Sequence, residues 1–214
     1  MAGKLIDKYG IDEKKILYKA NYLHYDCKET FRMNEFAELN IGWGARVEIE
    51  QKRADLIPRL VQALEERKVN YSFNIAGEGS YKPELQDWVT NQGLNERIHF
   101  LGYIMPDRMK DFWRKQDVYI NLSDFEGASL AMIEAMANGA IPIVTNVSGV
   151  DEFVVEGITG FCFGQDEIFK MAEKIWKIGQ DEHYRKELSK NAVEIINKKC
   201  NFIEYVEFIK NCLT

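Results

Sequence analysis

Residues 126 to 139 read EGASLAMIEAMANG, with Glu126 and Glu134 eight positions apart around a run of small and apolar residues. Two carboxylates at the ends of a segment that otherwise suits burial call for a ligand, since carboxylates accept hydrogen bonds from hydroxyls. Gly127, Ala128 and Ser129 keep bulk away from the free amides in the first turn of the helix that DFEGASL is expected to enter. A phosphate bound there gains both hydrogen bonds and the helix macrodipole. Such a phosphate also requires local positive charge, which Arg46 and Lys52 in GARVEIEQKR can supply. Each residue has a plainer reading as well. Glu126 could cap the helix in a box with Ser123, Glu134 could be a solvated helix residue, and the basic pair could belong to an ordinary charged loop. What joins the four is position: all fall on loops or helix starts expected at one edge of a sheet.

From about residue 40 the chain alternates short β-rich runs with helical periodicity, which argues for α/β units around a parallel sheet. Strands are expected at 39–43, 71–77, 97–103, 117–123, 140–146 and 160–163. Between the first two, Leu56, Ile57, Leu60, Val61 and Leu64 form a helical stripe, and similar stripes run through Leu85/Trp88/Val89, Met109/Phe112/Trp113 and Leu130/Ile133/Met136/Ala137. The resulting crossovers should be right-handed. Helices are expected over 166–178, 182–198 and 202–213. The last carries Phe202, Tyr205, Val206, Ile209 and Leu213 on one stripe, which predicts burial. Residues 1–38 read as a lead-in segment packed on or extending a Rossmann-like domain of residues 39–214. In such sheets, ligands sit beyond the carboxyl ends of the strands, so the loops that follow the strands matter most.

The totals narrow the function. With 28 Lys and Arg against 34 Asp and Glu, the net charge of −6 gives no global basic field, and no nucleic-acid-binding module is present. Cys27, Cys162, Cys200 and Cys212 contain no CxxC pair, which disfavours a zinc knuckle or a disulfide framework and suits a reduced, cytoplasmic protein. No apolar run reaches the roughly 18 residues of a membrane span. GEGSYK fails as a dinucleotide fingerprint because Lys82 stands where the third glycine belongs, and no Walker-type P-loop occurs. His99 lies in an apolar strand and reads as structural, while His24 and His183 default to the surface. Trp88, Trp113 and Trp176 read as packing residues, and Trp43 as buried at the end of the first strand.

Five segments in order, GARVEIEQK, FNIAGEGSYKPEL, RIHFLGYI, DVYINLSDFEGASLAMIEAMANGAIPIVTNVSGVDEFV and GITGFCF, resemble the C-terminal, donor-binding domain of GT-B-fold glycosyltransferases of family 4, also called group 1. The resemblance covers residues 40 to 165 motif by motif and the helical tail more loosely. It implies retaining transfer of a sugar from a nucleotide-diphosphate donor. Arg46 and Lys52 match the basic pair that holds the diphosphate, and Glu126 the glutamate that contacts donor-sugar hydroxyls. Glu134 matches the ribose ligand, and the backbone near Ile104 the segment along the base. Gly127, Ala128, Ser129 and Leu130 would offer amides to the phosphate. The family's usual glycine before the arginine is Ala45 here, and the glycine that often follows the lysine is Arg53.

No DxD triplet occurs, so the resemblance implies metal-independent catalysis without a cofactor, in which fixed cationic side chains and a helix end stabilise the departing diphosphate. Enzymes of this fold close two α/β domains over donor and acceptor. A missing N-terminal domain would therefore bind the saccharide or lipid-linked acceptor and make any peripheral membrane contact, in a pathway such as polysaccharide biosynthesis. The alternatives are a glycogen- or sucrose-phosphate-synthase-like transferase, a nucleotide-sugar epimerase of the same fold, or a degenerate, non-catalytic interaction module. Intact Arg46, Lys52, Glu126 and Glu134 weigh against the last.

Overall fold

The computed structural model describes Leu23 and residues 38–127 and 129–213. Six parallel strands form one sheet: β1 (Leu39–Gly44), β2 (Tyr71–Ala76), β3 (Ile98–Gly102), β4 (Val118–Asn121), β5 (Ile141–Thr145) and β6 (Phe161–Phe163). Their order is β3-β2-β1-β4-β5-β6. All six expected strands are present, each within two residues of its expected bounds. The central strands were legible because both of their faces are covered, so they read as nearly unbroken apolar runs. Every residue of β4 and β5 is buried, whereas edge strand β3 buries Ile98 and exposes Leu101.

Seven helices are described: α1 (Ile57–Glu66), α2 (Lys82–Asn91), α3 (Pro106–Trp113), α4 (Leu130–Ala137), α5 (Ile168–Gln180), α6 (Glu182–Lys199) and α7 (Phe202–Leu213). Helices α1, α2 and α3 each begin with a proline in the first turn, where its missing N–H costs nothing. On one face of the sheet, Ile57, Leu60, Val61 and Leu64 of α1 pack with Leu85 and Val89 of α2 and Ile168, Met171 and Ile175 of α5 against Leu39, Ile41 and Phe73. On the other, Trp113 of α3, Met132, Ile133 and Met136 of α4, and Ala192 and Ile196 of α6 enclose a second core with Tyr119 and Val144. Each fully buried Leu, Ile or Met contributes about 1.5–3 kcal/mol, so the two cores hold the sheet as a stiff platform.

Trp43 is buried, as its place at the end of β1 predicts, and Trp113 is fully buried. Trp176 departs from expectation, with more than a third of its surface exposed. The same holds for α7. Phe202 is 53% exposed, Ile203 67% and Ile209 39%, so its apolar stripe borders a shallow groove instead of entering a core. A stripe of the right period establishes a helix face, but what covers that face is a tertiary matter. Of the lead-in segment, Leu23 and Glu38 are described, and Leu23 is buried with its N–H donated to the Cys200 carbonyl at 3.3 Å. His24, Cys27 and the rest of that segment lie outside the described residues.

Candidate functional site

The strand order reverses between β1 and β4, which are neighbours in the sheet although far apart in the chain. Loops leaving their carboxyl ends diverge there and open a crevice. The loop after β1 carries Arg46 to Arg53, and the loop after β4 carries Ser123 to Gly127. The two are joined by several polar contacts. The Asp124 N–H donates to the Gln51 carbonyl at 2.9 Å, and Gln51 Nε2 donates to the Phe125 carbonyl at 3.2 Å. Lys52 Nζ donates to Glu126 Oε1 at 2.7 Å across 74 residues of chain. Ser123 Oγ donates to the same oxygen, also at 2.7 Å. Both of these hydrogen bonds to Glu126 converge on Oε1. The Lys52 and Glu126 side chains are only 17% and 9% exposed, so the pair is poorly screened.

Arg46 stands apart from this pair. Its side chain is 64% exposed and is held at the mouth of a neighbouring cleft by Glu48 at 3.0 Å and by Gln51 Oε1 at 3.2 Å. That cleft, of about 620 Å³, is lined by Gly44, Ala45, Gly77, Gly79, Tyr103, Ile104, Ala131 and Glu134 as well as by Arg46. Much of its wall is therefore backbone, and the packing requires glycine. A Cβ on Gly79 would lie 2.2 Å from the Val47 carbonyl oxygen, one on Gly77 1.9 Å from the Ala45 oxygen, and one on Gly44 2.4 Å from the Trp113 ring. Ala45, in place of the glycine expected before the arginine, takes no left-handed conformation and donates its N–H to the Ala76 carbonyl at 3.1 Å.

Glu134 is half-buried in this cleft, and burial pushes its carboxyl above the ordinary glutamate range. The Trp113 indole pulls it part of the way back. Among the described residues Trp113 Nε1, fully buried, has no acceptor at full hydrogen-bonding geometry. The plain reading of Glu134 as a solvated helix residue is therefore not what the structure has.

Helix α4 opens beside both features. Its cap is Ser129, which accepts the Met132 N–H at 3.4 Å and shares a 3.2 Å hydrogen bond with the buried hydroxyl of Tyr119. This corrects the reading of Glu126 and Ser123 as a capping box: Glu126 precedes the helix and faces Lys52. Gly127 has open space where a side chain would project, and Leu130 is half-exposed in the first turn. Asn121 Nδ2, buried at the end of β4, makes no full hydrogen bond among the described residues. Ala128 lies outside the described residues. Among the described residues no three His, Cys, Asp or Glu side chains converge to hold a metal ion.

The structure thus brings Lys52 into contact with Glu126 and sets Arg46, Ile104 and Glu134 around one cleft. Sequence reasoning missed Gln51, Asp124 and Arg53 as the residues that tie the two loops. The aspartate and arginine were visible as charges, but Gln51 carried no signal.

The sequence model for "Glycosyl transferases group 1" matches residues 45–195. The chain is 28% identical over 184 residues to an alpha-monoglucosyldiacylglycerol synthase from Acholeplasma laidlawii, covering 83% of this chain and 44% of that protein. Among solved structures, a variant of Staphylococcus aureus TarM in complex with fondaparinux, alpha-GlcNAc-glycerol and UDP superposes with a TM-score of 0.85 at 21% identity, covering 98% of this chain and 41% of the other. The C-terminal domain of a group 1 family glycosyl transferase (LpcC) from Francisella tularensis superposes with a TM-score of 0.67 at 23% identity, covering 75% of this chain and 85% of that one. The chain spans less than half the length of the synthase and of TarM, and most of the LpcC domain.

Proposed function

The chain belongs to the group 1 glycosyltransferases, and from that premise we propose that it is the donor-binding half of a retaining enzyme that takes a nucleotide-diphosphate sugar. The observation that carries the reading is the meeting of Lys52 and Glu126 at 2.7 Å in the crevice between β1 and β4, beside a cleft that Arg46 and Glu134 both line.

In this reading the base lies along the backbone near Ile104, and the ribose hydroxyls donate to Glu134. Arg46 closes over the diphosphate from the exposed rim while Lys52 meets it from the buried side. The amides at Gly127, Ser129 and Leu130 serve the same phosphate, where the start of α4 adds its partial positive charge. Oε2 of Glu126 accepts from a hydroxyl of the donor sugar. As the glycosidic bond breaks, negative charge grows on the leaving diphosphate, and a fixed ammonium, a guanidinium and a helix end stabilise it without the reorganisation that water would need. Those groups make a divalent ion unnecessary.

Residues 39–214 form the nucleotide-sugar domain and residues 1–38 its lead-in. A further N-terminal domain supplies the acceptor pocket for a saccharide or lipid-linked acceptor, along with any peripheral membrane contact. We place the protein in the cytoplasm, in keeping with the free thiols of Cys162 and Cys212. The test is calorimetric titration of this chain with UDP, GDP and ADP beside Arg46→Ala and Glu134→Ala. UDP goes first because it is bound in the TarM structure. Binding of one nucleotide that weakens in both variants is expected. Binding that neither variant changes would remove these residues from the site, and binding of none would remove the donor site from this chain.

A further inference from the structure

The loop after β1 holds two residues other than glycine in the left-handed region, Gln51 at φ 67° and Arg53 at φ 53°, and Lys52 lies between them. In that conformation the Cβ of an L-residue crowds the carbonyl oxygen that follows it, so glycine is the usual occupant. Arg53 stands where the resembled family often has glycine, which relieves the backbone. The guanidinium must therefore contribute something that a glycine lacks.

Its contacts say what. Arg53 Nε donates to Asp55 Oδ1 at 3.1 Å and Nη2 to Asp55 Oδ2 at 3.2 Å, a two-pronged grip at the turn that leads into α1. The remaining arm, Nη1, crosses to Asp124 Oδ1 at 3.0 Å. Arg53 is thus anchored on the β1 side of the crevice and bonded to the β4 side. Lys52 directly precedes Arg53, and Glu126 lies two residues beyond Asp124. Both ends of the Arg53–Asp124 pair are therefore next to the groups assigned to the diphosphate and the sugar.

We propose that the Arg53–Asp124 ion pair is a latch across the crevice that sets the position of Lys52 relative to Glu126, making Arg53 and Asp124 positioning residues for the donor. The inference rests on the functional reading above. Outer partners that orient metal ligands change affinity by about 10- to 100-fold when removed, which sets the scale expected for this pair, and a bidentate guanidinium is the side chain suited to holding two carboxylates in fixed geometry.

The experiment separates the backbone role of residue 53 from its side-chain role. Arg53→Gly relieves the left-handed conformation while deleting the latch, and Asp124→Asn deletes it from the other loop. Arg53→Gly is expected to keep its urea midpoint near that of the parent chain yet to bind UDP about tenfold more weakly. Asp124→Asn should lose the same factor, and the double variant no more than either single one. Arg53→Gly binding UDP within about twofold of the parent, or losses that multiply in the double variant, would overturn the proposal. Should the parent chain bind none of UDP, GDP and ADP, the donor reading has failed, and the latch is judged without ligand. The coupling between Lys52→Met and Glu126→Gln, read from urea midpoints, should then fall by about half or more in the Arg53→Gly background. Unchanged coupling would show that Arg53 does not position the pair.

Discussion

The two sides of the site are built in opposite ways. Toward β4 it is made of charged side chains, Lys52, Arg53, Asp124 and Glu126, paired across two loops. Toward β2 it is made largely by omission, with Gly44, Gly77 and Gly79 letting backbone and ring approach where any side chain would collide. The charged side can lose a group and remain folded, because its side chains sit on loops that leave strands already buried. The glycine side has no such separation. There the shape of the cleft and the packing of the loops are the same contacts, so a change to one is a change to both.

The sharpest test of that difference is Gly79→Val. Its Cβ would meet the Val47 carbonyl oxygen at 2.2 Å, and that oxygen also accepts the Tyr81 N–H at 3.0 Å, so the backbone has little freedom to yield. A loss of about 3 kcal/mol in urea unfolding is expected, with nucleotide binding lost alongside. A variant as stable as the parent would break the comparison at its firmest point. Next comes Lys52→Met, which leaves a nearly buried carboxylate without its cation. It should cost about 2 kcal/mol of stability and most of the UDP affinity in calorimetry. Arg46→Ala sharpens the contrast within the charged side. An exposed guanidinium contributes little to folding, so the urea midpoint should hold within about 0.5 kcal/mol while UDP binds about tenfold more weakly.

The smallest effect concerns pH. Burial raises the folded-state pKa of Glu134, so the neutral form favours folding. That contribution is fully present below the pKa of the unfolded chain and is lost as pH rises through the raised value. Glu134→Gln should therefore match the parent at acid pH and be slightly more stable at neutral pH, while binding UDP more weakly at both. Equal stability at neutral pH would place Glu134 in a more watery setting than its burial indicates.

Much of this was readable beforehand, and the exceptions share a cause. The strands were legible from runs such as AIPIVTN because central parallel strands are apolar on both faces. Lys52 and Glu126 were legible as charges on loops that had to share one sheet edge. The capping role given to Glu126 was a spacing coincidence: Ser123 and Glu126 are three apart, as in a capping box, but the helix waits until Ser129 to begin. That delay depends on how the loop crosses to Gln51, a contact that no local pattern encodes. The left-handed turn at Arg53 was hidden for a similar reason, because an arginine there makes sense only once Asp124 is known to lie opposite. The exposure of α7 was hidden too, since periodicity reports a face and says nothing of what meets it.

The seam between β1 and β4 has a consequence for how the molecule comes into being. Their ladder registers Ile41 with Val118 and Gly42 with Tyr119, a much shorter pairing than the six residues that β1 shares with β2. The Lys52–Glu126 contact closes a span of 74 residues directly above it. Contacts of such separation cost chain entropy before they return any stabilisation, so they form late. The helices and the β1–β2 ladder can assemble on their own time, and the crevice proposed for the ligand is complete only with that last closure. In a refolding experiment, nucleotide recognition should lag the recovery of helical signal, and the delay between the two measures how long the chain takes to join its two halves.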